Sequence, residues 1–249
     1  MILAACGLQR EARLIARAGW VAVAGGGDAA RLEQALTAAI RSSSQQRSGS
    51  RAASRALAGE DPSDRRDDGV EMVLSIGLAG ALSPELTVGD VVIASLAADE
   101  GRGPFVERLH ALLPTARVGT IVGQNVPAAT LADKQQLYAA TGALAVDMES
   151  HVAARVAAAH GLPFAAIRAI SDDAGRTLPP AALVGMKPDG GMALGAVLAS
   201  LARAPAQLPA LIRTGIDAER AFGALRGALD ALEAGGIGRL DLGELGLDV

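Results

Sequence analysis

Pro163 to Ile170 is a mostly apolar run that stops at Ser171-Asp172-Asp173. It reads as a largely buried strand, the kind found in parallel or mixed sheets covered by helices. Asp172 then lies at the carboxyl end of that strand, where open α/β sheets hold their ligands. Upstream, Ala145-Val146-Asp147-Met148-Glu149-Ser150 leads from a short strand over 143–146 into an alanine-rich helix over 148–160. Asp147 suits the N-cap, and Glu149 falls in the first turn, where the helix dipole favours a charged carboxylate. Glu149 is therefore expected to stay ionised.

The other segments alternate in the same way. Strands are predicted over 1–7, 20–24, 70–76, 88–96 and 117–122, and helices over 10–18, 29–40 and 131–141. Gly25-Gly26-Gly27-Asp28 lacks the spacing of a dinucleotide fingerprint and reads as a strand-to-helix turn with Asp28 as the cap. Alternating strands and helices predict an α/β fold, a three-layer α/β/α sandwich around a mixed central sheet, in one domain over 1–249. Residues 42–68 exchange the apolar period for Ser, Gln, Arg and Asp, and are expected to form a flexible inserted surface loop. The last eighty or so residues read as helical, broken at Pro179-Pro180, Pro188, Pro205 and Pro209, with 215–249 as a helical C-terminal tail.

Composition removes several function classes. A net charge of −4 without a basic stripe argues against polymeric nucleic acid as a partner, and 2% aromatic residues leave few surfaces for base stacking. Cys6 is the only cysteine, which excludes an intrachain disulfide and a cysteine-based zinc site and fits a cytoplasmic setting. Leu3-Ala4-Ala5-Cys6 is read as part of a core strand rather than as a lipoprotein cleavage box. No uninterrupted apolar stretch reaches the roughly twenty residues that cross a bilayer. Peripheral membrane contact stays open.

Three motifs together resemble the nucleoside phosphorylase and nucleosidase superfamily. They are Val146-Asp147-Met148-Glu149-Ser150, Arg168-Ala169-Ile170-Ser171-Asp172, and Ser75-Ile76-Gly77-Leu78-Ala79-Gly80-Ala81-Leu82, which looks like that superfamily's glycine-containing turn after a central strand. Within the superfamily the chain is most similar to the hopanoid-associated phosphorylases, through Ala157 to Phe164, Leu178 to Leu183 and Leu198 to Arg203 with Gln207 to Leu211. That resemblance implies a nucleoside phosphorylase-like fold and cleavage of the bond between adenine and ribose. The implied substrate is a 5′-substituted adenosine with a lipid tail, adenosylhopane.

The resemblance also implies roles. Asp172 would be the general acid at N7 of adenine; to carry a proton near neutral pH it needs burial and the adjoining Asp173 to disfavour its charge. Taken alone, it reads as a loop aspartate capping the next helix. Met148 would pack on the sugar and Glu149 would accept both ribose hydroxyls, which selects against 2′-deoxyribose. Glu11, just after the first strand, matches the acid that positions or activates water in the nucleosidase branch; alone it reads as a solvated helix glutamate. Adenine would be held near Gln124, Asn125 and Val126 and by Ser171, with Leu78, Ala79 and Gly80 lining the site. The nucleosidases carry an aromatic residue near 124–127, and this chain has none.

The nucleophile stays open between phosphate and water. Phosphorylases place an arginine and a serine or threonine around the central glycine turn, where this chain offers Ser75 and Leu78. Arg10, Arg13 and Arg168 could compensate, although each reads better as a surface or supporting charge. Phosphate is therefore a candidate co-substrate, with no other cofactor expected. The spacing of His151 and His160 does not put them on one helix face, and no metal is expected. A methylthioadenosine or adenosylhomocysteine nucleosidase, or a nucleoside binder without catalysis, are the rival readings. Leu194, Val197, Leu198, Leu201, Leu208, Leu211 and Ile212 could line a channel for the lipid tail or pack on the sheet or a second subunit, and a homodimer or higher oligomer is expected.

Overall fold

The computed structural model describes residues 1–18, 20–56, 69–94, 104–185, 187 and 189–237. Its strands are β1 Ile2–Cys6, β2 Val21–Ala24, β3 Met72–Ala81, β4 Val91–Ala94, β5 Arg117–Gly119, β6 Ile121–Gly123, β7 Ala145–Asp147 and β8 Phe164–Asp172. Its α-helices are α1 Gln9–Arg17, α2 Ala29–Ala56, α3 Pro104–Leu112, α4 Leu131–Thr141, α5 Ser150–Ala159, α6 Pro180–Leu183, α7 Leu194–Arg203 and α8 Leu208–Ala234. The sheet runs β2-β1-β3-β8-β4-β5, with β7 joined antiparallel to the end of β3 and parallel to β6. β8 is parallel to β3 and antiparallel to β4, so the sheet is mixed.

Alternate side chains of the central strands feed two cores, as the twofold period of a strand requires. Ile2, Ala4 and Cys6 of β1 and Met72, Leu74 and Ile76 of β3 pack with α1, α3 and α8. Leu3, Ala5 and Val73 face Leu32, Leu36 and Ile40 of α2 and Val152, Ala153 and Val156 of α5. Helices therefore cover both faces of the sheet, and the α/β/α sandwich is the observed architecture.

Four expectations need correction. Residues 42–56 belong to α2 and form no loop: the stretch holds no proline, and the Ser43 and Ser44 hydroxyls bond back to the Ile40 carbonyl at 2.8 and 2.9 Å. Ser43 is buried and accepts a bond from the Val70 amide at 3.4 Å; residues 57–68 lie outside the described ones. The glycine-containing segment from Ser75 is no turn either, since β3 continues to Ala81. Residues 117–122 split into two strands at Thr120, one pairing with β4 and the other with β7. The fourth correction concerns the C-terminal region. Ala221, Phe222, Leu225, Ala228, Leu229 and Leu232 of α8 belong to the main core, at the i, i+3, i+4 spacing of an amphipathic helix. That part of the chain is core rather than tail, and 238–249 lie outside the described residues.

The upstream apolar residues behave differently. Leu194, Leu198, Leu208 and Ile212 are 64%, 66%, 45% and 55% exposed, so they do not pack on the sheet of their own chain. Val197, Leu201 and Leu211 are half-buried beside them. Among the described residues no single helix is long and apolar enough to cross a membrane.

Candidate active site

The carboxyl ends of β1, β3 and β8 and the junction of β7 with α5 converge on one cavity of about 190 Å³. It is lined by Gly7, Leu8 and Glu11; by Leu78, Ala79 and Gly80; by Met148 and Glu149; and by Ser171 and Asp172, with Pro127, Ala128, Val146, Asp147 and Leu178 closing it. Eight of the expected site residues are thus brought together. Gln124, Asn125 and Val126 are not among the lining residues: after β6 the Gln124 side chain donates to the Val126 carbonyl, Asn125 pairs with His151, and Val126 is 65% exposed. The next two residues, Pro127 and Ala128, take their place.

Glu11 is buried although it lies in the first turn of a helix. Its carboxylate accepts from the Gly7, Leu8 and Leu78 amides, each at 2.8 Å, and so ties the end of β1 to the end of β3. Burial raises its pKa, with the three amides and Arg168 opposing the shift. Gly77 makes this approach feasible, because a Cβ there would lie 2.7 Å from Glu11 Oε1 and 2.8 Å from Arg168 Nη1.

Asp147 does hold the start of α5. Its Oδ1 accepts from the Glu149 and Ser150 amides at 3.1 and 3.0 Å and from the Ser150 hydroxyl at 2.7 Å. Its other oxygen is bonded by Arg168. Arg168 is fully buried, donates to Ser75 Oγ at 2.5 Å and lies 3.9 Å from Glu149; its Nη1 has no partner among the described residues. It is neither a surface charge nor a free phosphate ligand, since Asp147 already neutralises it.

Glu149 does not behave as expected. Burial pushes its pKa up to about 8, with Arg168 opposing and Asp147 and Glu11 adding to the rise. The helix-start dipole is outweighed because the carboxylate is desolvated among other acids. An acid whose folded-state pKa lies above its unfolded value stabilises the fold fully below the unfolded pKa, here 4.5, and loses that contribution as pH rises through about 8. Thermal melts without ligand should therefore show Glu149→Gln gaining stability relative to wild type as pH is raised across that window. Parallel curves for the two proteins would contradict the shift.

Asp172 occupies the end of β8 as expected, but its neighbour is not the expected one. Asp173 turns its carboxylate to Arg176 at 2.8 Å. The group facing Asp172 is Lys134 of α4, fully buried, whose ammonium donates to Asp172 Oδ2 and, at 2.7 Å, to the Asp173 carbonyl. Ser171 Oγ donates to Asp172 Oδ1 at 3.0 Å. Arg10 is taken by Glu219 and lies over Phe222, and Arg13 is exposed. No group of three or more His, Cys, Asp or Glu among the described residues is arranged to hold a metal.

A family model described as the phosphorylase superfamily matches residues 105–203. A 5′-methylthioadenosine/S-adenosylhomocysteine nucleosidase of Marinomonas sp. is 28% identical over 148 residues, covering 44% of this chain and 59% of that protein. The chain thus spans well under two thirds of that relative. Among solved structures, the S-adenosylhomocysteine nucleosidase of Streptococcus pyogenes, in complex with 5-methylthiotubericidin, superposes with a TM-score of 0.56 at 16% identity, covering 93% of this chain and 96% of that one. The 5′-methylthioadenosine/S-adenosylhomocysteine nucleosidase of S. pneumoniae gives a TM-score of 0.53 at 17% identity, covering 93% and 99%. The fold is that of these solved nucleosidases, and the family model adds a match over the stretch from α3 to α7.

Proposed function

We propose that the chain hydrolyses the N-glycosidic bond of a 5′-substituted adenosine and releases adenine. The observation that carries this reading is the placement of three buried carboxyl groups, Glu11, Glu149 and Asp172, from three separate elements around one cavity. Asp172 protonates N7 of the departing base, Glu149 accepts the ribose hydroxyls with Met148 against the sugar, and Glu11 takes a proton from the attacking water. The hydroxyl bonds favour the charged form of Glu149 over the protonated form that burial favours without ligand, and its carboxylate then stabilises the positive charge developing on the ribose.

Water fits as nucleophile better than phosphate. The lining residues include no lysine or arginine, and the two buried cations behind them, Arg168 and Lys134, are each paired with an aspartate. Among the described residues, a phosphate dianion would enter among acids without a free cation to meet it.

The resemblance to hopanoid-associated enzymes favours adenosylhopane, and the exposed apolar side chains of α7 and the start of α8 are consistent with a lipid-tailed 5′ group. The Marinomonas relative favours a methylthio or homocysteinyl group instead. Adenine release should be followed from 5′-methylthioadenosine and from an adenosine bearing a long apolar 5′ substituent, in wild type and in Leu198→Ser/Leu208→Ser. Both leucines are exposed, so folding should hold. The lipid-tail reading expects loss on the apolar substrate alone, and equal rates in the two proteins would remove it. No adenine from any substrate would leave a binding protein.

A further inference from the structure

Lys134 is buried completely, in a helix whose other side chains are mostly exposed. Burying a lysine is costly unless its charge is met, and here the ammonium meets Asp172 and the Asp173 carbonyl. Its mount is well fixed. Thr130 and Asp133 cap α4 reciprocally at 3.0 and 3.1 Å, the Leu131 amide donates to Thr177 Oγ1 at 3.1 Å, and the Leu178 amide donates to the Ala129 carbonyl at 2.8 Å. The first turn of α4 is thereby clamped to the segment that carries Asp172 and closes the cavity at Leu178. Other charged groups near Asp172 are accounted for: Asp173 is drawn off by Arg176, which also binds Asp217 of α8, while Glu149 and Glu11 line the same cavity.

We infer that Lys134 is a positioning residue that holds Asp172 against the base and supplies the proton Asp172 delivers. This rests on the nucleosidase reading. In the resting pair, ammonium faces carboxylate. As the bond between C1′ and N9 breaks, its electron pair goes to the base, and one proton passes from Lys134 Nζ to Asp172 across their hydrogen bond and from Asp172 to N7, which leaves the amine facing the carboxylate. The attacking water forms the bond to C1′ and gives its proton to Glu11. When adenine has left, the amine of Lys134 regains a proton through Asp172, and Glu11 releases one to solvent. One water is consumed, its oxygen ends on the sugar, and the leaving base departs neutral.

The test is Lys134→Met in the full chain, assayed on 5′-methylthioadenosine and on 4-nitrophenyl riboside, whose leaving group needs no proton. On the nucleoside, kcat should fall about a hundredfold with KM little changed, and the alkaline limb of the kcat/KM profile should move to lower pH. The nitrophenyl riboside should keep most of its rate. Equal losses on both substrates with an unmoved pH profile would mean a structural role only, and would overturn the inference. If Lys134→Met does not fold, Lys134→Met/Asp172→Asn removes both buried charges. Its kcat on the nucleoside should then equal that of Asp172→Asn alone, and a further large loss would overturn the inference. Failure of wild type to release adenine would bring down the nucleosidase reading together with this one. An active wild type matched in rate and pH profile by Lys134→Met would bring down only the role of Lys134.

Discussion

Arg168→Met is expected to cost about 3–5 kcal/mol, the penalty for removing one partner of a buried ion pair. The side chain lies in the middle of β8 with no exposure and holds Asp147, while Glu149 and Glu11 are close enough to feel its charge. Its loss would leave Asp147 charged and unpaired at the junction of β7 with α5. In a chain of this length such a cost lowers Tm by roughly 6–20 °C. Lysine should not restore it, because an ammonium cannot reach Asp147 and Ser75 at once with the planar fork of a guanidinium. Arg168→Met/Asp147→Asn should recover part of the loss. A melting temperature for Arg168→Met within a few degrees of wild type would show that the cluster under the cavity is not held together by this pair.

The largest expected effect on turnover is that of Asp172→Asn. The amide keeps the shape of the side chain and can still accept from Lys134 through its oxygen, but it delivers no proton to N7. A loss of about 10²–10⁴ in kcat is expected, the usual worth of a general acid, with a much smaller change in KM. Initial rates of adenine release over a range of substrate concentrations measure both. Near wild-type turnover would take Asp172 out of the proton path and leave β8 with only a binding role.

Some of this site was legible in the sequence for definite physical reasons. Asp172 follows a mostly apolar run that reads as a largely buried strand, and strand ends in an α/β sheet are where ligands gather. Glu149 and Asp147 stand at a strand-to-helix junction, whereas Glu11 was marked only by the family resemblance, since alone it reads as a solvated helix glutamate. The protonation behaviour of Glu149 was not legible. It depends on Asp147, Glu11 and Arg168 meeting in space, and these lie on different elements.

Lys134 was invisible for a related reason. Leu-Ala-Asp-Lys-Gln-Gln-Leu-Tyr-Ala-Ala-Thr has polar residues on every side of the helix, so no period marks the lysine as the one that turns inward. Arg168 did leave a signal. A charge inside a largely buried strand must be neutralised by a partner, and Asp147, a short acid at a nearby strand end, was a fitting one. Residues 42–56 misled in the opposite direction: their polarity suggested a loop, yet a helix needs only tolerable propensity and no proline to continue through a polar stretch. In the C-terminal region the apolar period was plain, but periodicity alone does not say which apolar helix meets the core. Phe222 and Leu225 reach it while Leu198 and Ile212 remain exposed.

Water is the nucleophile proposed for this cavity of acids. Turnover of 5′-methylthioadenosine in water enriched in heavy oxygen, with and without millimolar phosphate, followed by mass analysis of the sugar product, measures this. The expected result is a free sugar carrying the heavy isotope at C1′, with a rate that phosphate does not raise. A sugar 1-phosphate without the label, formed only when phosphate is present, would contradict it.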